Sequence, residues 1–189
     1  MTLNGVVQSQ SSQWIKSLHV RLNASWHRPA LIAFLFLNVV HIMEHVFQAV
    51  QIFLLGWPRS LAGGMLGLIF PIWVTSEWLH YLYAIVVLAG LIILRPAIRG
   101  RARLFWDVAL VIQFWHHIEH ALLLSQTLFH RNLFGSAAPT SILQLFFPRV
   151  ELHLFYNAAV LIPFLIALAL HFFPSVRDNS MMTCGCKRG

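Results

Sequence analysis

Four long apolar stretches, 30–56, 76–94, 104–129 and 150–173, constrain this chain more than any other feature. Each can supply the ~20 residues needed to cross a hydrocarbon core of ~30 Å. Lipid offers no water to an unpaired backbone, so such stretches must be helical. Composition agrees: 10% of the 189 residues are charged, against roughly a quarter in soluble domains. The expected fold class is all-α integral membrane, a four-transmembrane-helix bundle over residues 30–173. Residues 1–29 are expected as a cytoplasmic and interfacial segment, and 174–189 as a cytoplasmic tail.

The net charge of +7 follows this topology rather than a nucleic-acid partner. Lys16, Arg21 and Arg28 precede the first stretch, and Arg95, Arg99, Arg101 and Arg103 fill the link between the second and third. Arg177, Lys187 and Arg188 follow the fourth, which leaves Arg59, Arg131 and Arg149 for the opposite side. The positive-inside rule then places both termini in the cytoplasm of a multi-pass protein, in a bacterial inner or plasma membrane. A binding role for the arginine-rich link is the minor alternative, and its partner would then be the anionic headgroups of membrane lipids. The first 28 residues are polar and read as no cleavable signal peptide. Trp14, Ile15, Leu18, Leu22 and Trp26 recur at helical spacing among cations, as in a short helix lying in the interface. Cys184 and Cys186 are expected to be idle thiols on a disordered tail. The alternative is capture of a soft ion such as Cu(I) with Met181 and Met182.

The chain also repeats itself. His41, Glu44 and His45 return 75 positions later as His116, Glu119 and His120. Glu77 returns at Glu151 after 74 positions, and His80 and Tyr83 return at His153 and Tyr156 after 73. Two tandem helical hairpins related by a pseudo-two-fold axis along the membrane normal are expected, with a shared site between them. The outer loops, 57–75 and 130–147, are apolar enough either to fold back as half-helices or lids or simply to anchor in the interface.

Of the six acidic residues, Glu44, Glu77, Glu119 and Glu151 lie in or at the edges of the spans, together with seven histidines. Ionisable groups at this depth cost a few kcal/mol each unless partnered. No Lys or Arg lies within the span cores, so the expected partners are histidines, amides and bound metal. The i, i+3 and i, i+4 spacings put His41, Glu44 and His45 on one helix face, and likewise His116, Glu119 and His120. Glu77 and His80 share another. At ~1.5 Å per residue these groups fall in one layer toward the outer side. The expected metal ligands are therefore His41, Glu44, His45, Glu77, His80, His116, Glu119, His120, Glu151 and His153. His117 points about 100° away from His116, and Tyr81, Tyr83 and Tyr156 read as packing residues. His130 and His171 read as interface residues, His19 and His27 as part of the cytoplasmic segment.

In ligand chemistry the set resembles both the soluble di-iron and di-manganese bundles, with their Glu-x-x-His pairs, and the histidine-rich membrane hydroxylases and desaturases. The His-x-x-x-x-His and His-x-x-His-His boxes of the latter are missing. The first functional expectation is an oxidoreductase of oxygenase type with a non-haem di-metal centre. It would most simply hold two Fe, with Zn or Cu as alternatives, and act on a lipophilic substrate with a redox partner. Three further readings stand beside it. One is a haem or chlorophyll-type binder for electron transfer or light harvesting, although four glutamates suit a macrocycle poorly. Another is an intramembrane zinc hydrolase, because His-x-x-Glu-His is a metallopeptidase order. The last is a metal transporter.

Overall fold

Eight helices cover most of the chain in a computed structural model, which describes residues 3–74 and 76–187. They are α1 (Leu3–Leu22), α2 (His27–Phe53), α3 (Gly64–Ile69), α4 (Pro71–Val74), α5 (Glu77–Leu94), α6 (Arg101–Phe129), α7 (Arg149–Phe172) and α8 (Val176–Ser180). Single 3-10 turns occupy Arg95–Ala97, Leu133–Gly135 and Leu143–Leu145. Among the described residues there is no strand.

The four long helices α2, α5, α6 and α7 close on one another. α6 packs on α5 and α7, and α2 packs on the same two. Three of them, α2, α5 with its following turn, and α7, are long and apolar enough to cross a membrane. The expected span at 104–129 forms one continuous helix of 29 residues, α6, but its apolarity is diluted by Arg101, Arg103, Asp107, Gln113, two adjacent histidines and Glu119.

Polarity runs inside out. Gln113, His116, Glu119, His120 and His153 are buried, while Phe36, Val111, Phe155 and Ile162 are exposed. A water-soluble protein rarely leaves so much apolar surface open, and a lipid surround removes that penalty.

Toward the end of the bundle that carries both chain termini, the interior is sealed by rings. Phe34 lies 5.2 Å from Phe164 and 6.4 Å from Trp106, centroid to centroid, and Trp106 lies 5.4 Å from Phe164. The indole of Trp106 donates to the Leu91 carbonyl at 2.8 Å. Gly90 lets the Phe34 ring approach the α5 backbone; a Cβ there would collide with it.

α1 is longer than the short interfacial helix expected. Trp14 and Ile15 are exposed, while Leu22 packs against the core. Asn23 ties this segment to the bundle, donating to Ile93 O at 2.9 Å and accepting from Ala97 N at 3.2 Å. Asp107 pairs with Arg103 at 3.2 Å and is held more closely by Arg95, at 2.7 and 2.8 Å.

The tail corrects an expectation. Residues 174–187 are not a disordered strand of chain: they form α8 and fold back so that Met182, Cys184 and Cys186 join the core. Asp178 anchors the turn, accepting from the Ser175 hydroxyl at 2.8 Å and from the Arg101 guanidinium at 3.1 Å. Arg188 lies outside the described residues.

Candidate metal centre

Six imidazoles meet between the four long helices at the end of the bundle farther from the termini. His41 and His45 come from α2, His80 from α5, His116 and His120 from α6, and His153 from α7. His45, His116, His120 and His153 are buried; His41 and His80 are half-buried. The helical period puts residues four apart on one face, so each i, i+4 pair projects into the same space. Ring centroids stand 4.7 Å apart for His41 and His45 and 4.5 Å for His116 and His120. His153 links the pairs, at 5.0 Å from His120, 5.7 Å from His116 and 5.8 Å from His45. His80 lies 5.9 Å from His120 and 6.0 Å from His153.

The nitrogens define the chemistry. His41 Nε2 and His45 Nε2 are 3.2 Å apart, and His116 Nε2 and His120 Nε2 are 3.1 Å apart. Two imidazoles on one tetrahedral ion, each bonded at 2.0–2.1 Å, place their nitrogens about 3.3 Å from each other. Both spacings suit two ligands on one ion and equally a hydrogen bond between the two rings.

The protons are parked away from the centre on three of the six rings. His45 Nδ1 meets the Gln48 amide oxygen at 2.8 Å, His80 Nδ1 the Ser76 carbonyl at 3.0 Å, and His153 Nδ1 the Arg149 carbonyl at 2.7 Å. An oxygen of this kind only accepts, so in each ring Nδ1 carries the hydrogen and Nε2 keeps a lone pair. This is the second-shell arrangement typical of metal-ligating histidines. The Nε2 of His153 and the Nδ1 atoms of His116 and His120 are buried with no hydrogen-bond partner.

The four glutamates take other partners. Glu44 receives the Leu66 amide at 3.0 and 3.2 Å, and Glu119 receives the Leu143 amide at 3.0 Å and the Ser141 hydroxyl at 3.1 Å. Both thereby fasten an outer loop onto the histidine layer. Gly64, with φ +71°, makes room for Glu44 where a Cβ would strike the carboxylate. Glu77 is paired with Arg149 and Glu151 with Arg59. The expectation that no cation could reach these carboxylates is thus corrected. Neither arginine lies within a span core: Arg59, in the loop after α2, reaches Glu151 of α7, and Arg149, the first residue of α7, reaches Glu77 of α5. The loop at 57–75 does return as half-helices, α3 and α4.

Aromatic neighbours are closer than packing alone suggested. Tyr83 stacks on His41 with centroids 3.6 Å apart, and Tyr156 stands 4.6 Å from His116 while accepting from the Trp115 indole at 2.8 Å. His117 is turned out of the cluster and stacks on Tyr81.

Two cavities reach the histidines. One, of about 360 Å³, is bounded by Arg59, Gly63, Val74 and Arg149 and touches His45, His80 and His153. The other, of about 260 Å³, is bounded by Leu37, Val40, Leu66, Leu79 and Tyr83 and touches His41, His45 and His80.

Sequence reasoning missed a second group. His27, at the start of α2, and His171, near the end of α7, are not segment or interface residues but fully buried side chains. Their ligand atoms and that of Cys184 all lie within 4.8 Å of one another, a spacing able to hold a metal ion. The only signal available was their position, one near each outer end of the bundle's first and last helices, together with a Cys-x-Cys tail.

Comparison of the chain with protein-family models, with curated proteins and with solved structures gives no match.

Proposed function

We propose that the chain is an integral membrane metalloprotein with a dinuclear, histidine-ligated centre, and that it is an oxidoreductase for a lipophilic substrate. His41 with His45, and His116 with His120, would each hold one ion, with His80 and His153 as further ligands. The observation that carries this reading is the pair of Nε2–Nε2 separations, 3.2 and 3.1 Å, at the spacing of two ligands on one ion. A network kept only for structure would have little reason to leave His153 Nε2 buried and unpartnered, at a cost of about 1–3 kcal/mol.

With the carboxylates engaged elsewhere, the donor set is imidazole, which suits copper, iron and zinc. A redox role favours the first two. In this proposal the four glutamates position the outer loops and the helix ends around the centre. The cavity beside His41 has an apolar wall of Leu37, Val40, Leu66 and Leu79, which fits an apolar substrate arriving from the bilayer.

The alternatives lose support on specific contacts. A hydrolase needs Glu44 or Glu119 as a base, and both carboxylates are held by loop amides. A haem needs a flat apolar slot between its axial ligands, whereas imidazoles and Tyr83 fill that space. A transport path would have to pass the Phe34, Trp106 and Phe164 seal.

The tandem-hairpin organisation, with four membrane spans counting α6 and both termini cytoplasmic, forms part of the proposal. Matched contacts support it. Glu44 with Leu66 parallels Glu119 with Leu143, and Gln51 with Gly64 parallels Gln126 with Thr140. Arg59, from the loop after α2, also reaches Glu151, and Arg149, at the start of α7, reaches Glu77. α1 lying in the interface, anionic lipid at the arginine-rich link and a separate redox partner complete it.

Metal analysis of the purified protein, with optical and paramagnetic resonance spectra, tests the reading. At least two copper or iron ions per chain, without a Soret band, are expected. A Soret band, zinc alone, or no metal would overturn it.

A further inference from the structure

We propose that His27, His171 and Cys184 form a second metal site, for a thiophilic cation such as Zn²⁺ or Cu⁺, at the opposite end of the bundle from the histidine cluster. Three separate elements build it: the first turn of α2, the last turn of α7 and the tail after α8. His27 and His171 are fully buried and Cys184 nearly so, and the three ligand atoms fall within 4.8 Å of one another.

The orientation of His27 is the second observation. Its Nδ1 meets the Leu22 carbonyl at 3.0 Å, so that nitrogen carries the proton and Nε2 keeps its lone pair. That Nε2 is buried and has no hydrogen-bond partner. The His27 and His171 rings stand edge to face with centroids 5.2 Å apart, and His171 Nε2 lies 3.5 Å from Cys184 Sγ. A backbone-anchored imidazole facing a second imidazole and a thiol is a ligand set with its outer support already in place.

Two nitrogens and one sulfur select borderline-to-soft ions over magnesium or calcium. The neighbouring Cys186 is also buried, but the group within 4.8 Å consists of His27, His171 and Cys184. Binding would pin the tail to both the first and the last of the long helices. It also differs in kind from the outer centre, which contains no sulfur.

That difference supplies the test. The full-length protein in detergent, stripped by chelator, is titrated with Co²⁺ and read for the near-ultraviolet thiolate-to-cobalt charge-transfer band, which histidine-only sites cannot give. The band should appear in the wild type and disappear in Cys184→Ser. His27→Gln and His171→Ala should each weaken it at least about tenfold in Co²⁺ concentration. It should persist when His41 and His116 are replaced by alanine. Zn²⁺ or Cu⁺ added afterwards should displace the cobalt, and the tighter competitor identifies the ion. Absence of the band in the wild type overturns the proposal, as does its survival in Cys184→Ser. If that variant fails to fold, alkylation of wild-type Cys184 decides: Zn²⁺ or Cu⁺ should slow it at least about tenfold, and an unchanged rate rejects the site.

Discussion

Arg149 grips Glu77 from across the bundle through two guanidinium bonds of 2.5 and 2.8 Å, although Glu151 is only two positions away in its own helix. Glu151 is instead taken by Arg59 at 2.5 Å. Arg149 thus ties α7 to α5, and Arg59 ties the loop after α2 to α7. The two pairs differ in burial: Glu77 is 8% exposed and Arg149 38%, whereas Glu151 and Arg59 are 28% and 55% exposed.

Burial decides the first prediction. Breaking a fully buried pair by removing one partner costs about 3–5 kcal/mol; with Arg149 partly solvated, Glu77→Gln should cost about 2–3 kcal/mol. Glu151→Gln should cost under about 1 kcal/mol, as for exposed pairs. Thermal unfolding in detergent micelles ranks the two. Equal effects, or a larger one at Glu151, would mean that the cross-hairpin pairing is not as described.

The tail should release in acid. The Ser175 hydroxyl and the Arg101 guanidinium hold the Asp178 carboxyl below its ordinary range. A depressed folded value means that the charged form favours the docked tail. The contribution is therefore present above the ordinary carboxylate range, near 4, and is lost as pH falls through the lower folded value. Protection of the amides over residues 175–187, corrected for intrinsic exchange at each pH, should be high at neutral pH and fall below that value. Asp178→Asn should exchange quickly even at neutral pH.

The sequence made the histidine layer readable because helical period alone aligns His41 with His45 and His116 with His120. Nothing periodic encodes where a loop returns, so the partners of Glu44, Glu77, Glu119 and Glu151 were hidden. Leu66, Leu143 and Arg59 reach them only after the segments between the long helices fold inward, and Arg149 only once the helices have assembled. The His27, His171 and Cys184 group was hidden for the same reason. Each is a single residue without a local motif, and convergence depends on the tail turning back at Asp178. Burial of Cys184 and Cys186 contradicts the reading of idle thiols on a disordered tail, because composition near a terminus says little about docking.

Gly90 should be intolerant of even one methyl group. Its missing Cβ is the space into which the Phe34 ring fits, between α2 and α5. Gly90→Ala should therefore destabilise by about 1–3 kcal/mol through overpacking, despite the better helix propensity of alanine. Bound metal per folded chain should not change, since the seal lies apart from the histidines. A variant as stable as the wild type in thermal unfolding would show that this contact is loose.

The outer centre makes opposite demands on neighbouring acids and imidazoles. His153 has its proton on the Arg149 carbonyl and a bare, buried Nε2 facing the His116 and His120 pair, so it is placed to be a ligand. Glu119 sits one position before His120, yet its carboxylate is spent on Ser141 and Leu143. His153→Ala should then lose at least about tenfold in metal affinity, the lower end of what even supporting residues cost. Glu119→Gln keeps an oxygen that can still accept from the Leu143 amide. It should retain metal, while exchange of the loop amides around Leu143 quickens. Metal content per folded chain, measured after dialysis against a weak chelator, separates the two. Loss of metal in Glu119→Gln with full retention in His153→Ala would make the carboxylate the ligand, and would return the centre to the mixed His and Glu type.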